Sequence, residues 1–307
     1  NINKENMQEL ILIFIKKVND IFELKDKMFV GLFKYDNKEN THSILTKIDY
    51  VISQAKLFND KEYYFIEDIN NCKTKEQWIN IINISLQEDN FKLIYRDVLD
   101  INLQTIIHKT ISFELNYKGE NFSYKDFMAS VLELNRLNDV YLYIINKVLD
   151  INKNLNESIS IQLPTLFIED LNNYSILKEL FTKYKNEKNQ NIIFEIEEDS
   201  FNKNLKNTFM YVNLFKEFNF GFAIFNFIAN SDDYIYLKEL KPKYIKASKY
   251  FLLESKQSLS VLKILTQSLD IKLIATSVTE VSELNLLSQI GINAICGPIM
   301  QNLTELS

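Results

Sequence analysis

Any chemistry in this chain has to rest on carboxylates, lysines and main-chain groups. The 307 residues include only 5 Gly, 2 Cys and 2 His, and the two histidines and two cysteines stand too far apart for H-E-x-x-H or C-x-x-C metal motifs. The closest two glycines are Gly291 and Gly297, a spacing that excludes the G-x-G-x-x-G and G-x-S-x-G motifs. No glycine precedes Lys-Ser or Lys-Thr, so a Walker loop is excluded as well.

The charge of the chain excludes further classes of function. With 35 basic and 41 acidic residues the net charge is −6, and without a basic block this predicts no nucleic-acid binding. The apolar runs are far shorter than the ~20 residues of a membrane span, and no signal-peptide pattern is present at the start. Two isolated cysteines are typical of a reducing compartment. We therefore expect a cytoplasmic protein, or the cytoplasmic part of a membrane-anchored one.

The first part of the chain combines segments in which apolar residues recur about every 3.6 residues, the period of a helix, with short apolar strands. The predicted helices are Glu5–Phe22, His42–Lys56 and Lys75–Leu86, and the predicted strands are Lys27–Tyr35 and Tyr63–Ile66. This mixture predicts a small α+β domain followed by a connecting helix.

From residue 91 onward, short apolar strands alternate with amphipathic helices, which indicates parallel βαβ units. The predicted strands are Phe91–Ile101, Ile106–Leu115, Ser158–Leu163, Asn191–Ile196, Gly221–Phe227, Tyr244–Ala247, Ile271–Ala275 and Asn293–Ile295. The predicted helices are Asp139–Leu149, Thr165–Tyr184, Phe201–Phe218, Asp232–Leu240, Phe251–Leu269 and Val281–Ile290. Eight strands in such a series favour a closed (β/α)8 TIM-like barrel, whose sites lie at the carboxyl ends of the strands.

The strand ends carry an ordered series of short motifs. They are Ser112–Lys118 (SFELNYK), Ile193–Glu198 (IFEIEE), Gly221–Lys238, Tyr244–Ser248 (YIKAS), Ile274–Glu280 and Gly291–Gly297. In order and spacing this series resembles the EAL family of cyclic di-GMP phosphodiesterases, over essentially all of residues 89–304. The motifs there are E-A-L-L-R, E-I-T-E, D-D-F-G-T-G-x-S-S-L-x-Y-L-K, I-K-I-D, A-E-G-V-E-T and G-x-x-x-x-Q-G.

The preceding region resembles the last part of a GGDEF domain. Val30 and Gly31 are similar to its S-x-G strand, and Ile48-Asp49 with Ala55-Lys56 to its A-D-x-A-x-Y-x-A-K helix. The resemblance implies three segments: the C-terminal part of a GGDEF-like domain at 1–70, a linker helix at 71–88 and an EAL-like barrel at 89–307.

The family's chemistry uses two divalent metal ions, which require a ring of oxygen ligands, mostly Asp and Glu. The resemblance leaves a vestige of this site at Glu114, Gln162, Glu195 and Lys246. It places the lost ligands at Phe225, Asn226, Ser248, Thr276 and Thr279. Because an aromatic ring cannot coordinate a hard cation, Phe225 implies a degenerate site that has no Mg²⁺ or Mn²⁺ cofactor and no catalysis.

The two remaining carboxylates suggest a structural alternative to metal binding. We interpret Glu114 and Glu195 as hydrogen-bonded or paired with Lys246, a Glu–Lys–Glu cluster that needs no ion. The sequence also predicts that His108 lies on a strand surface or at a pocket rim.

The positions that would contact the nucleotide are also altered. By the resemblance the candidates for ligand binding are Arg96, Lys118 and Cys296, where the family has Gln, Arg and Gln. Lysine keeps the charge but lacks the bidentate fork of arginine. Three of the family's glycines fall on Ile228, Asn230 and Ser277.

The resemblance implies a catalytically inactive cyclic di-GMP signalling module that acts as a receptor or regulatory interaction domain. The predicted partners are cyclic di-GMP and a protein, or a second copy, at the barrel face near Ser231–Leu240. Two alternatives stay open: a ligand-independent interaction scaffold, and a residual metal-dependent phosphodiesterase.

Overall fold

The computed structural model describes residues 10–18, 29–34, 39, 41–57, 63–66, 73–152, 157–185, 191–229, 234–254 and 256–300. These residues divide into two compact units. The first unit contains residues 1–92 and 114–137, and the second contains residues 93–113 and 138–307. The division is discontinuous because the strands around residues 93 and 114 contribute residues to both units.

The first unit begins with helix α1 (residues 10–18) and contains a parallel βαβ motif. The motif consists of β1 (Gly31–Phe33), α2 (Thr41–Leu57) and β2 (Tyr64–Ile66), with β1 and β2 paired in parallel. Helix α2 buries Val51 and Ala55. Gly31 lies so close to α2 that a Cβ atom there would come within 2.6 Å of Val51 Cγ1, which explains a glycine at this position. The outer residues of the predicted Glu5–Phe22 helix and Lys27–Tyr35 strand lie outside the described residues.

Helix α3 (Lys75–Gln87) begins with a capping box in which Thr74 and Gln77 satisfy each other's backbone N–H groups. Its buried face includes Trp78, whose ring meets Phe122 edge to face at a centroid distance of 5.1 Å. Strand β5 (Glu120–Phe122) and helix α4 (Tyr124–Glu133) complete the first unit.

Eight strands form the barrel of the second unit, as predicted. They are β3 (Phe91–Asp100), β4 (Ile106–Tyr117), β6 (Ile159–Leu163), β7 (Ile192–Glu197), β8 (Gly221–Phe227), β9 (Tyr244–Ser248), β10 (Lys272–Thr276) and β11 (Ala294–Ile295). Strands β4 and β6 to β11 are parallel in sequence order. Strand β3 is antiparallel to β11 and also pairs with β4, which closes the barrel. The (β/α)8 architecture is confirmed, with one strand reversed.

Along the chain, helices lie between consecutive barrel strands from β4 onward. They are α5 (Leu137–Asn152), α6 (Thr165–Glu169), α7 (Leu171–Lys183), α8 (Asp199–Lys203), α9 (Leu205–Glu217), α10 (Ile235–Leu240), α11 (Lys249–Glu254), α12 (Lys256–Leu269) and α13 (Leu284–Gln289), the last preceded by a 3-10 helix (Val281–Glu283). Aromatic rings fill the layer between strands and helices: Phe194 of β7 stacks on Phe215 of α9 at 4.4 Å, and Phe181 of α7 lies 4.5 Å from Phe220. This burial of large rings stabilises the barrel.

Two helices predicted as continuous are interrupted in the structure. The predicted Thr165–Tyr184 helix is divided into α6 and α7 at Asp170, whose backbone is extended and whose side chain accepts from Asn172 N. The predicted Phe201–Phe218 helix is replaced by α8 and α9, with Asn204 capping the second. In both places a short polar side chain competes with the helix for backbone N–H groups, so a new helix begins there. Strand β5 and helix α4 were not predicted from the sequence.

Candidate functional site

The centre of the candidate site is a buried carboxylate on β7. Glu195 has no solvent exposure, and three side chains donate to it. Lys246 Nζ lies 2.6 Å and Tyr244 OH 2.7 Å from Oε1, and Gln162 Nε2 lies 3.0 Å from Oε2. Lys246 is equally buried, so the ion pair is shielded from water on both sides.

The strand register explains why these side chains meet. Gln162 of β6 is the direct neighbour of Glu195 in the sheet, and Ala223 of β8 is its neighbour on the other side. Tyr244 and Lys246 are two residues apart on β9, so they point to the same face. The small side chain of Ala223 leaves room for the β9 side chains to reach Glu195 across β8.

Lys246 is held by a second oxygen. Its Nζ donates to Thr110 Oγ1 at 2.6 Å, and the same hydroxyl accepts from Ser160 Oγ at 3.1 Å. The ammonium also lies 5.5 Å from the centre of the Tyr244 ring, within the range of a cation–π interaction. The lysine is therefore fixed by β4, β7 and β9 together.

The electrostatics favour a charged pair. Burial alone would raise the pKa of Glu195, but the Lys246 ammonium and the hydrogen bonds hold the pKa well below its ordinary value. The pKa of Tyr244 is raised by burial and by the neighbouring Glu195 carboxylate. Glu195 is thus a permanent anion with its oxygens occupied, an arrangement unsuited to moving a proton near neutral pH.

A second ring beside this carboxylate belongs to His108. The His108 imidazole is buried, stacks on Tyr244 at 4.7 Å and 13°, and brings Nε2 to 3.7 Å from Glu195 Oε1. That distance is too long for a hydrogen bond, and burial lowers the His108 pKa. The prediction of a surface or rim position was wrong. Alternation along β4, which puts His108 on the same face as Thr110, was the signal that could have placed it inside.

The other vestigial carboxylate is not part of this cluster. Glu114 lies half-buried on β4 among the residues of the first compact unit, and no described residue makes a hydrogen bond or ion pair with it. The structure therefore joins Gln162, Glu195 and Lys246 of the predicted set and leaves Glu114 out, so the cluster is not the predicted Glu–Lys–Glu arrangement.

The three candidates for ligand binding are in different surroundings. Arg96 on β3 is exposed. Lys118 is also exposed, in a turn with φ of 52°, and its Nζ lies 5.2 Å from the Tyr117 ring centre. Cys296 is partly buried against the barrel interior, and burial raises its pKa, so its thiol stays protonated.

The positions of the lost family ligands hold residues with protein partners. Phe225 is buried, and Asn226 donates to Glu197 Oε1 at 3.1 Å. Ser248 Oγ accepts from Tyr250 N, and Thr276 donates to the Ala247 carbonyl. These contacts occur within the barrel's own loops and strands and require no ligand.

Thr279 belongs to a second polar cluster. Its hydroxyl accepts from Lys249 Nζ at 2.7 Å, and its backbone N–H donates to Glu283 Oε2 at 3.0 Å. Lys249 and Glu283 also form an ion pair. This pair ties α11 to the 3-10 helix after β10.

A buried glutamate that the sequence analysis did not single out fixes the loop after β8. Glu198 Oε2 accepts from Ile228 N at 2.7 Å and Ala229 N at 3.1 Å, and Tyr236 OH lies 3.2 Å from Oε1. The loop is the one that is glycine-rich in the family, and Ala229 adopts a φ of 57° there without a glycine. Of the face predicted near Ser231–Leu240, residues 231–233 lie outside the described residues.

One position keeps the left-handed backbone conformation that favours glycine, although its residue is not a glycine. Ser277, at the family's A-E-G-V-E glycine, has φ of 63°, a left-handed conformation that costs a non-glycine residue about 1–2 kcal/mol. Gly297 is different, because a Cβ atom there would lie 2.5 Å from Val278 N. The fold requires that glycine.

The donor set around Glu195 does not fit a divalent metal ion. Such an ion prefers several carboxylate or carbonyl oxygens, whereas both Glu195 oxygens already accept hydrogen bonds and one lies against an ammonium that would repel a cation. Across the described parts of the chain, no group of three His, Cys, Asp or Glu side chains is arranged to hold a metal. Within the same parts, no helix is long and apolar enough to cross a membrane.

The fold and the arrangement of its strand ends place the chain in the EAL domain family. The family's model matches residues 79–302, so the chain belongs to this family, and the predicted membership is confirmed. No curated protein sequence matches the chain.

Solved structures with the same fold include two of Vibrio cholerae LapD, comprising its S helix, GGDEF and EAL regions. The c-di-GMP-bound form has 20% identity and a TM-score of 0.82, with 97% of this chain and 74% of that chain covered. The apo form has 19% identity and a TM-score of 0.70, with 98% and 75% covered. The Xanthomonas citri FimX EAL domain in complex with c-di-GMP has 15% identity and a TM-score of 0.64, with 73% and 91% covered. At these identities the likeness concerns the fold.

Proposed function

We propose that this chain is a non-catalytic EAL module that works as a receptor or regulatory interaction domain in cyclic di-GMP signalling. One observation carries the proposal: the carboxylate that would bind metal, Glu195, is already saturated by Lys246, Tyr244 and Gln162. Phe225, buried where the family has an aspartate, adds to it. A module without its metal ligands has no means to generate the hydroxide that attacks the phosphate.

The proposal includes the absence of a Mg²⁺ or Mn²⁺ cofactor. The lost positions, Asn226, Ser248, Thr276 and Thr279, offer amide and hydroxyl groups, which are weaker ligands than carboxylates for such ions. Function then has to come from binding and not from turnover.

The first part of the chain is proposed to be a remnant of a GGDEF-like domain. This assigns 1–70 to that domain, 71–88 to a linker helix and 89–307 to the barrel. The parallel βαβ motif of β1, α2 and β2 and the coverage of 97% of the chain by the LapD structure support it. A cytoplasmic location belongs to the same proposal, with the isolated cysteines as its support.

The proposed ligand is cyclic di-GMP, which is present in the LapD and FimX structures. Arg96 and Lys118 are the candidate phosphate contacts, because both are exposed cations on or next to barrel strands. Cys296 is a candidate contact as the partly buried residue at the family's glutamine position.

The proposed protein-interaction face lies around Ser231–Leu240. The loop after β8 and helix α10 present Ile228 and Ile235, each 56% exposed, next to the loop that Glu198 fixes. Exposed apolar side chains on this loop and helix favour contact with a partner or a second copy.

Calorimetry with cyclic di-GMP, with and without Mg²⁺ or Mn²⁺, tests the proposal. We expect binding that is independent of the metal and no release of the linear dinucleotide. Arg96→Ala and Lys118→Ala should each weaken binding, whereas Lys178→Ala, an exposed lysine on α7, is the matched control.

The remaining results of this experiment favour the alternatives. Absence of heat at millimolar nucleotide would favour a ligand-independent scaffold. Metal-dependent turnover that is lost in Glu114→Ala would refute the proposal in favour of a residual phosphodiesterase.

A further inference from the structure

We infer that a cavity between helices α2, α3 and α4 is a binding site for a small zwitterion of the size of a free α-amino acid. The cavity has a volume of about 160 Å³ and is lined by residues of all three helices and of the segment just before α3. All of these residues belong to the first compact unit. This site is separate from the barrel interior and does not depend on nucleotide binding there.

Polar contacts join the helices that form the walls of the cavity. Gln54 of α2 donates from Nε2 to the Lys125 carbonyl of α4 at 3.0 Å. Lys75 at the start of α3 places its Nζ 2.6 Å from Oε1 of Glu133 at the end of α4. The walls are therefore fixed relative to one another by contacts of α4 with both of the other helices.

Asp49 of α2 is the charged side chain of the lining that is left without an ion pair. Lys75 is paired with Glu133, and Lys73 Nζ lies 2.8 Å from Glu120 Oε2. In the described part of the chain Asp49 forms no hydrogen bond or ion pair. Its carboxylate helps to raise the pKa of Lys75, for which Glu133 is the larger cause. The unpaired negative charge favours a ligand that carries a cationic group.

The Trp78 indole adds a donor without an acceptor. Its ring lines the cavity and is 4% exposed, with Phe122 meeting it edge to face at 5.1 Å. The Nε1–H group is buried and has no hydrogen-bond partner among the described residues. Buried polar groups are nearly always hydrogen-bonded. A ligand oxygen that reaches this N–H would supply the missing acceptor.

The size and the free groups of the cavity together select the class of ligand. A cavity of about 150 Å³ holds a benzene-sized molecule, so a nucleotide is too large. The lining also contains the hydroxyl groups of Ser53 and Ser130, which disfavour a purely apolar ligand. An α-amino acid carries an ammonium group for Asp49 and carboxylate oxygens for the Trp78 N–H. A simple anion lacks the first of these groups, and a simple amine lacks the second.

Fluorescence of the full chain tests this site directly, because Trp78 is the only tryptophan in the sequence. The probes are glycine, L-alanine, L-serine and L-proline, with acetate and ethylamine as molecules that carry only one of the two charges. We expect a saturable change in the Trp78 emission with at least one of the amino acids, and none with acetate or ethylamine at the same concentration. No change with any of the four amino acids overturns the assignment, and so does equal binding of acetate or ethylamine.

Two carboxylate variants locate the bound amino acid. Asp49→Asn removes the unpaired charge of the cavity, and Glu76→Gln removes an exposed charge on α3 that does not line it. We expect Asp49→Asn to weaken binding about 5-fold, as for a partly exposed ion pair, and Glu76→Gln to leave it unchanged. Equal affinities of the wild type and Asp49→Asn would place the amino acid elsewhere and contradict the proposed site.

A third variant, Trp78→Phe, tests the indole N–H. It keeps an aromatic ring at the cavity but has no donor, so we expect calorimetry to show binding about 5-fold weaker than in the wild type. Unchanged affinity in a folded Trp78→Phe variant would contradict the role of the N–H group. If this variant does not fold, Asp49→Asn still decides, because the Asp49 side chain is exposed and has no structural partner among the described residues.

Discussion

Two buried glutamates three residues apart, Glu195 and Glu198, are stabilised by different kinds of hydrogen-bond donor. Glu195 is bound by side chains of other barrel strands, above all the Lys246 ammonium. Glu198 accepts from two backbone N–H groups, those of Ile228 and Ala229, and from Tyr236 OH. Both carboxylates are almost completely buried, so each depends on its partners.

The difference indicates which part of the module each glutamate controls. Glu195 holds strands together in the barrel interior, where movement is opposed by close packing. Glu198 holds a loop whose backbone would otherwise lack hydrogen-bond partners at these N–H groups. We therefore expect changes at Glu195 to alter the stability of the whole barrel, and changes at Glu198 to alter mainly the loop that precedes α10.

The largest effect is expected for Glu195→Gln. Removal of the anion leaves the Lys246 ammonium buried without a counter-charge, so the free energy of unfolding should fall by about 3–5 kcal/mol. Urea unfolding measures this change. A loss below about 1 kcal/mol would show that the Lys246 side chain finds another partner and would contradict the contrast with Glu198.

A smaller and local effect is expected for Glu198→Gln. The glutamine amide accepts hydrogen bonds at only one oxygen, so about 2–3 kcal/mol should be lost as a backbone N–H or the Tyr236 hydroxyl is left without an acceptor. Hydrogen exchange should accelerate first at Ile228 and Ala229. Equal acceleration across all barrel strands would contradict the local role of Glu198.

Two tyrosine variants test the contrast between Glu195 and Glu198, because each removes one hydroxyl donor. Tyr244→Phe removes the 2.7 Å hydrogen bond to Glu195, and Tyr236→Phe the 3.2 Å hydrogen bond to Glu198. We expect losses of about 2 and about 1 kcal/mol, since the shorter bond serves the carboxylate that accepts only from side chains among the described residues. Parallel urea titrations compare the two, and the reverse order would contradict this assignment.

The smallest effect near neutral pH is expected for His108→Phe, which keeps the stacking on Tyr244. The folded-state pKa of His108 is lowered below its ordinary value of 6.5 by burial, so the unfolded chain takes up the proton first as the pH falls. Stability is therefore lost as the pH falls below about 6.5, and the loss continues down to the folded-state pKa. Unfolding midpoints at about pH 7.5 and pH 5.5 should differ less in the variant than in the wild type. An unchanged difference would assign the pH dependence to other groups.

The sequence predicts most of the barrel because its strands are apolar and separated by helices. Strand β8 has the predicted bounds, Gly221–Phe227, since a buried parallel strand is a continuous apolar run. The breaks at Asp170 and Asn204 were missed because the apolar periodicity continues across them. There, local side-chain capping overrides the pattern.

The site was harder to predict than the fold, for a physical reason. The pairing of Glu195 with Lys246 was predicted and is present, but the contacts of Tyr244 and His108 with Glu195 were not, because they depend on the strand register and on the small Ala223 side chain. Glu198 was passed over because it lies in a run of acidic residues that resembles a solvated surface. Its role depends on where the loop after β8 folds back.

The barrel is closed by a strand of only two residues, β11. Strand β11 contributes only Ala294 and Ile295, which pair with β10 on one side and with β3 on the other. Until those two residues are in place, β3 and β10 are open sheet edges that can pair with other chains. This two-residue seam is therefore where local unfolding should require the least free energy, and where aggregation of a destabilised variant should begin.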